Sequence, residues 1–110
     1  MTDAVVFDKS AANPAQIADA AVEATTFLKA LAHEGRMMIL CHLAGGEKSV
    51  GQLEALLDQR QAAVSQQLAR LRAEGLVACR RDGKARVYSL ADHRVTEVMA
   101  VLYRLFCAKV

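Results

Sequence analysis

Residues 61–90 read QAAVSQQLARLRAEGLVACRRDGKARVYSL, and the way this stretch divides decides the fold. Its first half spaces Val64, Leu68 and Leu71 by four and three positions, the repeat of a single helical face, and Gly75 offers the left-handed residue with which helices commonly stop. The second half sets Asp82-Gly83 between two runs containing β-branched or aromatic residues, the pattern of a hairpin turn. A helix followed at once by a hairpin is therefore expected.

Upstream, Ser49-Val-Gly-Gln52 reads as a capping box that launches a short helix through Leu53, Leu56 and Leu57, and the polar break DQRQ separates it from the next helix. Another helix runs from about Ala32 to Ala44 and is stopped by Gly45-Gly46. The first begins at Asn13-Pro14, a cap and first-turn pair, and carries Ile17, Ala21, Ala24, Phe27, Leu28 and Leu31 at helical spacing. Downstream, Asp92 caps a last helix whose apolar residues are Val95, Val98, Met99, Leu102, Leu105 and Phe106. Short helix, tight break, second helix and hairpin is the order of a winged helix-turn-helix, so the expected class is mainly α with a small β-hairpin. Residues 1–12 show no period and read as a mobile tail, leaving 13–110 as one DNA-binding and dimerisation domain.

Composition agrees, because 110 residues at 54% hydrophobic content are enough for one core. The longest uncharged stretch, Met37–Gly46, is far shorter than the roughly 20 residues needed to cross a bilayer, and the N-terminus has no basic flank followed by an apolar core. A cytoplasmic protein without a membrane partner is expected. Three cysteines at irregular positions do not make a secreted disulfide framework.

Charge is distributed unevenly. Residues 1–58 carry four Lys/Arg against eight Asp/Glu, whereas residues 59–86 carry seven against two. A basic segment inside an otherwise acidic chain points to one face that meets a polyanion. On the helix of that segment, Gln61, Ala62, Ser65, Gln66 and Arg70 lie away from the leucine face, where amides and hydroxyls suit base edges and phosphates. The hairpin adds Arg80, Arg81, Lys84 and Arg86, suited to the backbone and carrying little sequence information. An Arg-rich surface is usually a solvated one. Here it coincides with the helix-turn-helix order, which favours double-stranded DNA.

The blocks FLKALAHEGRMMIL, SVGQLEALL, AAVSQQLARLRAEGLV and DGKARVYSL resemble successive parts of the ArsR/SmtB family of bacterial repressors, over roughly residues 20–107. The resemblance implies a homodimer paired through its first and last helices, which binds an inverted-repeat operator and releases it on sensing an inducer. Two positions depart from the family pattern: Arg60 stands where a helix-capping serine is common, and Gln67 where a histidine is common. Broad apolar faces on the first and last helices independently call for a partner.

The metal-binding patterns of the family are absent. The third helix, QLEALL, has no thiol, and the last helix has Asp92-His93 adjacent, with Tyr103 and Arg104 near the later ligand positions. Neither a metal nor another cofactor is expected. What remains is Cys41 in the second helix and Cys107 near the end of the last, a pairing that resembles the sulfide-responsive branch of the family, which includes the biofilm growth-associated repressors. That resemblance implies a redox-sensing pair, Cys41 and Cys107, which reactive sulfur species such as persulfides join through a polysulfide bridge that weakens operator binding. The alternative is a soft-metal or metalloid sensor using the same thiols. Either cysteine alone would be read as core filler. Cys79 is assigned to packing, and His33, His42 and His93 to ordinary polar roles. A thiol-dependent enzyme is not expected, since the chain has neither Cys-x-x-Cys nor a nucleotide loop; a winged helix that binds only proteins remains a further alternative.

Overall fold

The computed structural model describes residues 13–58 and 60–107, and of Gln61 the backbone alone. The tail assigned to residues 1–12 lies outside them. Five α-helices and a three-stranded sheet follow in the order α1 (Pro14–Leu31), α2 (Glu34–Ala44), β1 (Lys48–Ser49), α3 (Val50–Leu57), α4 (Gln61–Ala73), β2 (Val77–Asp82), β3 (Ala85–Leu90) and α5 (His93–Leu102). Helix α3, the break and α4 make the helix-turn-helix, and β2–β3 is the wing.

Local chemistry sets most boundaries. Asn13 and Gln16 form a reciprocal capping box at α1, and Ser49 and Gln52 form one at α3. Helix α2 begins at Glu34, two residues later than its apolar pattern indicates, because Ala32 still donates its N–H to Leu28 and His33 serves as the cap. His33 Nδ1 accepts from the backbone N–H of Gly35 at 3.1 Å and of Arg36 at 3.4 Å. Asp58, with φ 53°, ends α3 in the left-handed region. Arg60 precedes α4 without a side-chain cap, the consequence of arginine standing where serine is common.

The hairpin turn sits one residue later than expected. Asp82 pairs with Ala85, so Gly83 and Lys84 are the loop, and Gly83 at φ +64° supplies the positive angle such two-residue turns require at their first position. Strand β1 was not expected from sequence; it pairs antiparallel with β3, giving the sheet order β1-β3-β2. The last helix leaves α geometry at Tyr103–Cys107, a π-helical turn.

The core lies between α2, α3, α4, the sheet and α5. Leu31, Ile39, Leu40, Leu53, Val64, Leu68, Leu71, Leu76, Val77, Val95 and Met99 are buried in it, so the Val64–Leu68–Leu71 face points inward as its spacing requires. Arg36 is also buried. Its Nε donates to the Ala30 carbonyl at 2.7 Å and its Nη2 to that of Lys29 at 3.4 Å, placing a cation on the carbonyl end of α1. Most of α1 stands away from the body, with Ile17, Val22 and Leu28 half or more exposed. Arg94 ties it to α5, stacking 4.6 Å over the Phe27 ring and lying 3.5 Å from Glu23. The Cα radius of gyration, 16.2 Å, exceeds the roughly 13 Å of a compact chain of about 100 residues because of this projecting helix.

Candidate nucleic-acid interface and the cysteine cavity

Helix α4 presents Ala62, Ser65, Gln66, Ala69 and Arg70 to solvent while its leucines are buried. Gln67 is turned inward, its amide beside Gly35 at the start of α2. Between α3, α4 and the wing runs a groove of about 1070 Å³ whose walls include Ser65, Arg72, Lys84, Arg86 and Tyr88. Arg72 was not singled out from the sequence. Its signal is spacing, since it follows Ser65 by seven positions and so returns to the same helical face.

Strand alternation sorts the wing's cations. In the register of β2 and β3, Arg81 stands opposite Arg86, and Cys79 opposite Tyr88, on one face of the sheet. Tyr88 is buried and Arg86 lines the groove, so this is the face turned towards α4. Arg80 stands opposite Val87 on the other face. There its Nη2 and Nε meet the two carboxylate oxygens of Glu47, the latter at 3.3 Å, and its Nη1 lies 4.0 Å from Asp82. That contact holds the Glu47 carboxyl below its ordinary range and raises the Arg80 guanidinium. Arg70 has a carboxylate too, Glu74, at 3.6 Å. Arg72, Arg81, Lys84 and Arg86 have none among the described residues.

Cys41 and Cys107 both line an apolar cavity of about 880 Å³ between α2 and α5, with Met37, Met99 and Phe106 among its walls. They do not make the expected switch. All three cysteines are free, and no clustering brings two thiols into a bridge; the sulfur contact that Cys41 makes is with the Met99 thioether, at 3.6 Å. Cys41 and Cys107 are both exposed, and partial desolvation by the cavity wall, with the charge of Cys107 second, pushes the Cys41 thiol up from its ordinary value. The polysulfide bridge is accordingly set aside. So is the soft-metal alternative: among the described residues no group of three or more His, Cys, Asp or Glu side chains is placed to hold an ion. Cys79 packs against the core, His33 is a helix cap, His42 is half-buried in the cavity wall and His93 lies 3.7 Å from Glu97 on the surface.

Comparison with known proteins agrees with the architecture. The profile described as "Bacterial regulatory protein, arsR family" matches residues 33–78. The biofilm growth-associated repressor of Agrobacterium fabrum is 49% identical over 88 residues, spanning 80% of this chain and 75% of that protein. The chain belongs to the arsR family. Among solved structures, the transcriptional repressor BigR from Xylella fastidiosa superposes with a TM-score of 0.81 at 37% identity, covering 89% of this chain and all of that one. Reduced HlyU from Vibrio cholerae gives 0.80 at 39% identity, covering 84% and 97%. This arsR-family chain is thus a winged helix-turn-helix regulator and not an enzyme. No helix among its described residues is long and apolar enough to cross a membrane.

Proposed function

We propose that this arsR-family chain is a homodimeric, cytoplasmic repressor that binds an inverted-repeat DNA operator with α4 in the major groove and the wing against the neighbouring backbone. The observation that carries the reading is the Arg81–Arg86 pair: two arginines directly across the hairpin, on the groove-facing side, with no carboxylate on either among the described residues. Like charges placed opposite each other destabilise a ribbon, and a phosphate between or beside them reverses the sign. Lys84, Arg72 and Ser65 line the same groove with Arg86, three cations and a hydroxyl against the single carboxylate of Glu54, an excess of positive charge suited to the backbone. Ala62, Gln66 and Arg70 are then the side chains for base edges and flanking phosphates, with Gln61 at the first position of the same helix.

Self-association is supported by what the single subunit leaves uncovered. Ile17, Val22 and Leu28 of α1 and Val101, Tyr103, Leu105 and Phe106 at the other end of the chain are all exposed, more large apolar surface than a lone subunit usually shows. A twofold through these segments would set the two α4 helices about 34 to 36 Å apart, one turn of DNA.

Binding of a labelled inverted-repeat duplex, followed by anisotropy across a salt series together with light scattering of the free protein, tests both parts. Expected are a dimer and an affinity that falls steeply with salt, by a logarithmic slope of about 0.9 for each phosphate neutralised. A monomer would remove the assembly, and salt-independent or absent binding would remove the nucleic-acid reading. A second reading concerns only the direction of control, because the 42% identical relative from Vibrio cholerae is named a transcriptional activator. Reporter output in cells lacking the protein separates the two: it rises for a repressor and falls for an activator.

A further inference from the structure

Sequence groups Arg80 with Arg81, Lys84 and Arg86 as one basic hairpin, yet the sheet separates them. Arg81 and Arg86 share the face turned towards α4, while Arg80 projects from the opposite face, where Val87 and Ser49 continue the same row across the sheet. Glu47 immediately precedes β1, and the strand order is β1-β3-β2, so the Arg80–Glu47 pair reaches over the middle strand and joins β2 to the segment leading into β1. The contact is two-pronged, which fixes direction as well as distance. Asp82, next along the same face of β2, adds a second carboxylate to the same guanidinium.

We infer that Arg80 is a positioning residue: with Glu47 it latches the wing to the segment that enters α3, setting the angle at which Arg81 and Arg86 meet a DNA backbone, and does not itself contact phosphate. This rests on the nucleic-acid reading above. Both side chains are about half exposed, so the link is of modest strength, and its loss tilts the wing without unfolding it. A phosphate contact and a latch differ in a measurable way. Losing a phosphate contact lowers the salt slope by about one, whereas losing a latch weakens binding and leaves the number of released counterions unchanged.

The test is anisotropy of a mixed-sequence duplex over a salt series with wild type, Arg80→Gln, Glu47→Gln, the double variant, the exchanged pair Glu47→Arg/Arg80→Glu, and Arg86→Gln. Expected for Arg80→Gln and Glu47→Gln is an equal weakening, about two- to fivefold for an exposed pair, at unchanged slope. The double variant should be no weaker than either single one, and the exchanged pair should recover most of the loss. A slope reduced by about one in Arg80→Gln, or tighter binding by Glu47→Gln, overturns the inference. Those outcomes leave the nucleic-acid reading standing as long as Arg86→Gln also lowers the slope; a wild type with no salt-dependent binding removes both.

Discussion

Arg81 and Arg86 stand directly opposite each other on one face of the wing, and neither has a carboxylate within reach among the described residues. A pair of like charges in this register costs the hairpin stability while the protein is free. The feature is comprehensible as a site kept ready for an anion, and it makes stability and binding respond in opposite directions to the same substitution.

Arg86→Glu turns the repulsion into an attraction. The expected outcome is a rise in stability of about 0.5 kcal/mol, the size of a cross-strand ion pair, with a loss of DNA affinity of at least tenfold, since a groove cation has become an anion. Denaturant unfolding and anisotropy on the same preparation check the two signs. A variant that loses stability and affinity together would mean that Arg86 holds the wing's structure.

Arg36 is buried with two carbonyls of the α1 terminus as its partners. Replacing it by Met keeps the aliphatic bulk but strands those carbonyls away from water. A loss of about 2 kcal/mol is expected, in the range for hydrogen bonds made by a charged donor. Lys restores the charge without the paired N–H geometry and should recover only part. Urea unfolding of the three proteins decides it; an unchanged midpoint for Arg36→Met would show that the corner between α1 and α2 does not depend on the guanidinium.

How much of this was legible in the sequence follows the range of the interactions. The capping residues Asn13, Ser49 and Asp92 and the Val64–Leu68–Leu71 face are set by neighbours three or four positions away, and they lie where their spacing puts them. Strand β1 is only two residues long and exists because β3 comes back to pair with it, so no local pattern announces it. The cap at His33 was hidden by the rarity of histidine in that role. Strand alternation alone separates Arg80 from Arg81, a signal masked by the density of positive charge along residues 80–86. The Cys41–Cys107 expectation failed for a different reason: its residues come from segments far apart in the chain, and no local pattern announces that the Cys41 sulfur meets the Met99 thioether.

Asp92 provides a pH prediction. Hydrogen bonds from Arg94 hold its carboxyl below the ordinary range, with Nη2 at 2.7 Å from Oδ2 and the backbone N–H at 2.9 Å from Oδ1. The folded value is lower than the unfolded one, so the contribution is complete above the unfolded value and is lost as pH falls through the folded one. Asp92→Asn keeps an acceptor for the cap but has nothing to titrate. Its acid-side decline in melting temperature should therefore be shallower than that of wild type, while Asp92→Ala should lose about 1 kcal/mol at neutral pH as well. Melting curves taken from neutral to acid pH test this, and parallel acid limbs for wild type and Asp92→Asn would remove Asp92 from the account.

Cys41 reports on the cavity between α2 and α5. Although Cys41 is exposed, partial desolvation by the cavity wall first, and the charge of Cys107 second, raise its thiol above the ordinary value, so less thiolate is present at neutral pH than in an unfolded chain. Alkylation by iodoacetamide should accordingly be slower at Cys41 in the folded protein than in urea, and should accelerate with pH through a range above that of a free thiol. Cys107→Ser removes the smaller of the two causes and should speed Cys41 only modestly, leaving most of the protection in place. Peptide mass mapping of timed alkylation gives the rate at each site. If Cys41 in the folded protein reacted as fast as in urea, the desolvation assigned to it would be wrong; if Cys107→Ser abolished the protection altogether, the thiol pair rather than the apolar wall would govern the site.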